Sequence, residues 1–179
     1  MHTEHMPDGR TIFTYIWDEF DQLVRRLIHS IGESNYRPDR VIGIMNGGMF
    51  PAVMIAKYFG VHTAAMAVQS YEEGESGICD QQGKVRFGRD LASVDYDFSG
   101  RVLLVDDLDD SGITMKFSAE WLRDTFKGSM GEITTATVWH KTCSVVVPDF
   151  YVETVEPAGN GKYPWIIQPF ERLENQGKE

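Results

Sequence analysis

With 179 residues, 42% hydrophobic and 25% charged, the chain has the size and composition of one globular domain, long enough to bury about 70% of its unfolded surface. A formal charge of −10 argues against a nucleic-acid partner, whose phosphates need a basic face, and no run reaches the roughly 18 apolar residues of a membrane span. The polar start MHTEHMPDGR lacks a signal peptide's apolar core, and Cys79 and Cys143, without metal-type spacing, read as reduced thiols of a cytoplasmic protein.

TIFTYI (11–16) reads as a short strand. Trp17, Phe20, Leu23, Val24, Leu27, Ile28 and Ile31 then follow helical spacing, predicting an amphipathic helix over 17–32. VIGIM (41–45) is a fully apolar strand ended by Asn46-Gly47-Gly48, and a helix follows over about 51–59, opened by Pro51 and closed by Gly60. A strand is expected over about 62–69. Residues 71–90, YEEGESGICDQQGKVRFGRD, are rich in glycine, charge and amide and predict a long loop or frail hairpin, the usual composition of a lid. RVLLV (101–105) resumes the sheet, and Met115, Ala119, Leu122 and Phe126 give a helical stripe over 114–127 closed by Gly128. Strands are expected at 132–140 and 150–155, with a last apolar run at 165–167. Apolar strands separated by helices mean an α/β fold with a parallel sheet covered on both faces. No internal repeat or interdomain linker is visible, and the five histidines are scattered without a zinc-type pair.

Directly after the strand at 101–105 stand four aspartates within five positions, in VDDLDDSGIT. In a parallel sheet, ligands bind beyond the carboxyl ends of the strands, where Asp106 and Asp107 fall. Ser111-Gly112-Ile113-Thr114 then lead into a helix start, whose free amides and dipole form an anion site with two hydroxyls at hand. Carboxylates for sugar hydroxyls or magnesium, and donors for a phosphate a few residues later, suit a phosphorylated sugar. A calcium loop fails because its twelfth position is Ser118, not glutamate. A nucleotide-binding P-loop is absent, and a receiver domain would need a longer chain beyond the acidic pair. A solvated acidic loop is the plainer alternative.

VLLVDDLDDSGIT resembles the signature of the type I phosphoribosyltransferases. Four further segments fit in family order: MNGGMFPAVMIAKYFGV, QSYE, VWHK and PWIIQPFE, and the similarity spans about residues 11–171. Together they resemble the xanthine-guanine and hypoxanthine branch. The resemblance implies a Rossmann-like, mostly parallel sheet with helices on both faces and a small hood near the C-terminus, in a single domain over 1–179 with a lid at about 71–90 and the hood at about 150–171. It also implies that Asp106 and Asp107 hold the ribose hydroxyls of 5-phosphoribosyl 1-diphosphate, directly or through magnesium. Ser111, Gly112, Ile113 and Thr114 would cradle the 5-phosphate, and Asp110 would accept the purine's imidazole proton. By the same resemblance Asn46, Gly47 and Gly48 bind diphosphate, Ser70 and Tyr71 start the lid, Lys141 reads the 6-oxo group, Trp165 stacks on the base and the Ile166 main chain takes its far edge.

Two departures stand out. Asn46 occupies a position where several relatives carry Arg or Lys, so Lys84, Arg86 or Arg89 is expected to replace that cation; Phe170 stands where relatives often have a second tryptophan, which leaves base selectivity open. Asp109 has no family role and reads as a solvated neighbour. The expected activity is magnesium-dependent purine salvage by a homo-oligomer, dimer or tetramer, acting on small molecules. A non-catalytic ligand-sensing regulator of the same fold and a transferase for adenine, orotate or uracil are the alternatives.

Overall fold

The stripe Phe20, Leu23, Val24, Leu27, Ile28 and Ile31 is buried along one side of α1 (Trp17–Glu33), as its spacing predicts. The helix begins where the Ile16 N–H donates to Glu19 Oε2 at 3.1 Å, satisfying an amide that the first turn leaves open. This computed structural model describes residues 1–7, 9–71 and 84–171. The central sheet contains β3 (Arg40–Met45), β4 (His62–Tyr71), β5 (Lys84–Phe87), β6 (Val102–Val105) and β8 (Ile133–Ala136), with strand order β5-β4-β3-β6-β8. All pairings are parallel except the edge pair β4–β5. On one face α1 and α2 (Met49–Phe59) pack with Val41, Leu103 and Val105; on the other, α3 (Ile113–Thr125) packs Met115, Ala119 and Leu122 against Ile42, Ile44 and Leu104. The α/β architecture with helices on both faces is therefore as the sequence implies.

The hood differs from the expectation of a purely C-terminal element. β1 (His2–His5), which the sequence did not announce, pairs antiparallel with β2 (Thr11–Thr14), and β2 pairs in parallel with β11 (Trp165–Ile167). The N-terminal strand thus leaves the central sheet and completes the hood, because β11 needs a partner for its backbone groups.

A third small sheet, β10-β9-β7, unites β7 (Leu108–Asp109), β9 (Trp139–Lys141) and β10 (Glu153–Val155). The single strand expected at 132–140 is broken between β8 and β9. At the break the Thr137 N–H turns to the Phe150 carbonyl, while the Val138 and Trp139 N–H groups both reach the Asp107 carbonyl. The break moves Trp139–Lys141 out of the central sheet and beside the acidic segment. In the stretch read as loop or hairpin, β5 pairs with β4 through Ser70↔Val85 and Tyr71↔Lys84. Residues 72–83, most of the expected lid, lie outside the described residues.

Candidate active site

The end of β6 places Asp106 and Asp107 where the strand leaves the sheet. Asp106 is buried, and burial followed by the neighbouring Asp107 charge holds its carboxyl well above the usual carboxylate range. The Asp107 N–H donates to Asp106 Oδ1 at 3.0 Å. Two adjoining carboxylates at a strand end fit a hard divalent cation such as magnesium, which needs only one or two protein oxygens. Among the described residues no cluster of three or more metal-ligating side chains occurs, so substrate oxygens and water would supply the rest of such a shell.

The loop Asn46–Gly48 folds back onto this strand end. A Cβ on Gly48 would lie 2.6 Å from the Val105 carbonyl oxygen and 2.8 Å from Asp106 Cα, and one on Gly47 would overlap the Asp107 carboxylate. Glycine here is a requirement of close approach: it brings the expected diphosphate loop against the expected ribose acids. Next along the chain, Gly112 takes φ 78° and caps α3, where a Cβ would run into Ser144 and Val146. No side chain caps the helix, so its first-turn amides remain available to an anion, with only Ser111 Oγ at 3.5 Å from the Ile113 N–H.

Lys141 Nζ lies 2.8 Å from Asp110 Oδ1. The two residues meet because β7 and β9 are parallel, with Leu108 opposite Trp139 and Asp109 opposite His140, so the next residues of each strand converge. The lysine side chain is only 6% exposed and the acid is 40% exposed. The pair therefore presents its acid to solvent with the ammonium behind it.

Asp109 corrects the sequence reading. It is not a solvated neighbour but a buried carboxylate, 2.6 Å from His140 Nδ1 and 3.0 Å from Ser144 Oγ. Burial raises its pKa, while the His140 and Ser144 hydrogen bonds pull it back. Gln168 is a further residue the sequence did not single out: its Nε2 donates to Asp107 Oδ2 and its Oε1 is buried without a partner among the described residues. Thr142 Oγ1 lies 2.9 Å from both Glu156 Oε2 and Tyr163 Oη. The hood segment is thus tied to the site on both sides of Trp165, through Tyr163 and Gln168. Trp165 between them is 50% exposed, and Ile166 is buried.

Phe170 does not stand free for a base. It stacks on Phe50 at 4.4 Å and 7° and meets Phe20 and Trp17 edgewise or tilted. Arg86 sits on edge strand β5 opposite Gln69, two strands from β3 and so about 10 Å sideways from its line, and exposed Arg89 follows. The side chains of Ser70, Tyr71 and Lys84 lie outside the described residues. Cys143, expected as a free thiol, is disulfide-bonded, and its Sγ lies 3.6 Å from the Asp110 carbonyl oxygen. Cys79 lies outside the described residues.

Residues 15–175 match the phosphoribosyl transferase domain. The chain belongs to the phosphoribosyltransferase family. This phosphoribosyltransferase is 29% identical over 154 residues to the xanthine-guanine phosphoribosyltransferase of Chromohalobacter salexigens, covering 86% of this chain and 83% of that one. It is 33% identical over 111 residues to the enzyme of the same name from a Ruegeria species, covering 58% of this chain and 61% of the relative. The crystal structure of a purine phosphoribosyltransferase from Pyrococcus horikoshii superposes with a TM-score of 0.69 at 26% identity, over 89% of this chain and 93% of that one.

Proposed function

We propose that this phosphoribosyltransferase joins 5-phosphoribosyl 1-diphosphate to a 6-oxopurine, xanthine, guanine or hypoxanthine, and releases diphosphate and the nucleoside monophosphate. The observation that carries the choice of base is the Asp110–Lys141 pair at 2.8 Å. On a 6-oxopurine, N7 and O6 are neighbours on one edge. An N7–H donates to the Asp110 carboxylate, and O6 accepts from the Lys141 ammonium. Adenine turns a 6-amino donor toward the same ammonium, which has no acceptor to offer it.

The reaction breaks the C1–O bond, and its electron pair leaves with diphosphate. A purine ring nitrogen forms the new bond to C1, and the imidazole proton passes to Asp110. Asp106 and Asp107 orient the ribose through its hydroxyls. The amides of the Ser111–Thr114 turn hold the 5-phosphate, and Asn46, Gly47 and Gly48 receive the diphosphate through main-chain donors. Trp165 carries the base on its half-exposed face, with the Ile166 main chain beyond it. Ser70 and Tyr71 begin the lid that keeps water from C1. When bound at Asp106 and Asp107, magnesium would neutralise charge on the departing diphosphate.

The whole chain is taken as one domain and as a homo-oligomer acting on small molecules. Placement in the cytosol is part of the same reading; among the described residues no helix is long and apolar enough to cross a membrane. The Cys143 disulfide runs against a reducing compartment. The deciding experiment is diphosphate release from 5-phosphoribosyl 1-diphosphate and magnesium, with xanthine, guanine, hypoxanthine and adenine offered separately. Release with an oxopurine but not with adenine supports the reading; release with adenine alone overturns it.

A further inference from the structure

Two acid–base pairs stand side by side on β7 and β9. Asp109 faces His140 in the strand register, and the following residues of each strand, Asp110 and Lys141, face each other. The inner pair is the more enclosed: the His140 and Asp109 side chains are 7% and 1% exposed and 2.6 Å apart. Because a carboxylate only accepts, Nδ1 carries the proton and donates it.

From Asp109 the network continues through Ser144 to the main chain on either side of it. Its Oδ1 meets Ser144 Oγ at 3.0 Å, and the Ser144 N–H donates to the Lys141 carbonyl at 2.9 Å. Ser144 Oγ also lies 2.7 Å from the Val146 carbonyl oxygen and packs where Gly112 leaves room at the start of α3. On the far side of Lys141, Thr142 is bonded to Glu156 and Tyr163. Lys141 ends a strand of three residues and is bracketed by two anchored neighbours, His140 within the strand and Thr142 just beyond it.

Stability is a poor reason for such a device. Burying a carboxylate close to Asp106 and Asp110 costs desolvation and repulsion, and apolar residues in place of a buried ionic pair are commonly neutral or stabilising. A fixed geometry is the better reason. We propose that Asp109 and His140 form a positioning pair that sets the separation of Asp110 and Lys141, and so the fit of the purine's N7–O6 edge; this rests on the base-reading roles given above. Neither residue touches substrate.

The test compares three variants of the full chain. His140→Leu removes the donor, His140→Asn keeps an N–H where Nδ1 stood, and Asp109→Leu/His140→Leu removes both polar groups without leaving an unpaired charge. The expected result is that His140→Leu and the double variant raise KM for the oxopurine by about 10- to 100-fold, the scale of a misplaced reacting group, with KM for 5-phosphoribosyl 1-diphosphate little changed. His140→Asn recovers most of that loss, and the double variant keeps a wild-type Tm. Parallel rises in both KM values, or a double variant with wild-type KM for the base, would overturn the proposal.

A second readout needs no turnover. Acylation mapped by mass spectrometry finds Lys141 protected in the wild type and in His140→Asn, and labelled in His140→Leu. Equal labelling in all three also overturns it. A wild type that turns over no purine while the labelling difference persists would reject the functional reading and the purine fit, but leave the positioning of Lys141 intact.

Discussion

Asp110 and Lys141 differ in what their partner's loss would leave behind. Removing the lysine exposes a carboxylate that already meets solvent, whereas removing the acid strands an ammonium that is 6% exposed. Asp110→Asn is expected to cut kcat by about 100- to 10,000-fold, the range of a lost proton acceptor, while 5-phosphoribosyl 1-diphosphate still binds in calorimetry. Unchanged kcat would take Asp110 out of the chemistry. Lys141→Ala is expected to weaken 6-oxopurines by about 2 kcal/mol, one hydrogen bond to a charged donor, and to spare adenine. Equal losses on both bases would reject the base-reading role.

At the scale of elements, the site depends on a loop and a strand end that touch without side chains between them. Gly48→Ala puts a methyl 2.6 Å from the Val105 carbonyl oxygen and 2.7 Å from that of Ile44, both main-chain atoms that cannot step aside cheaply. The expected cost is about 1–3 kcal/mol in chemical denaturation, with a raised KM for 5-phosphoribosyl 1-diphosphate. At the opposite end of the same strands, Asp39 Oδ2 accepts from the Arg101 N–H at 2.8 Å and stands 3.3 Å from its Nε. Those bonds hold the Asp39 carboxyl below its ordinary value. A depressed folded-state pKa adds stability above the unfolded value, near 4, and loses it as pH falls through the folded value. Asp39→Asn is therefore expected to lower stability at pH 7 by on the order of 0.5 kcal/mol, since the group is largely exposed, and the difference is expected to close in denaturation curves taken at pH 2–3. A deficit that persists unchanged in acid would contradict the ion-pair origin.

Across the whole molecule, the hood packs onto the main core through Ile166, with Tyr163 and Phe170 against the same cluster. Phe170 stacks on Phe50, in the first turn of α2 just after Asn46–Gly48, and Gln168 reaches Asp107. The parts proposed to hold the base and the diphosphate thus share one aromatic clasp. Phe170→Ala is expected to cost roughly 2 kcal/mol, less than a fully buried phenylalanine, and to make cleavage after the hood strands faster in limited proteolysis. An unchanged cleavage pattern would show that the hydrogen bonds alone hold the hood.

What could be read without the structure was local in the chain. The apolar strand 101–105, the acids after it, Ser111–Thr114 at a helix start and the stripe of α1 are each contiguous or periodic, so sequence alone determined the α/β class, the acid cluster at a strand end and the turn that opens a helix. The family-ordered segments added Lys141 and Trp165 by resemblance. What only the tertiary structure decided was the pairing of distant residues: Asp109 with His140 across 31 positions, Gln168 with Asp107 across 61, and β2 with β11 at the two ends of the chain. An aspartate in an acidic run carries no local mark of burial, because its desolvation is offset by a histidine from another strand. The break between β8 and β9 was equally hidden, since the amides it frees are met by the Asp107 and Phe150 carbonyls, whose closeness no stretch of sequence displays.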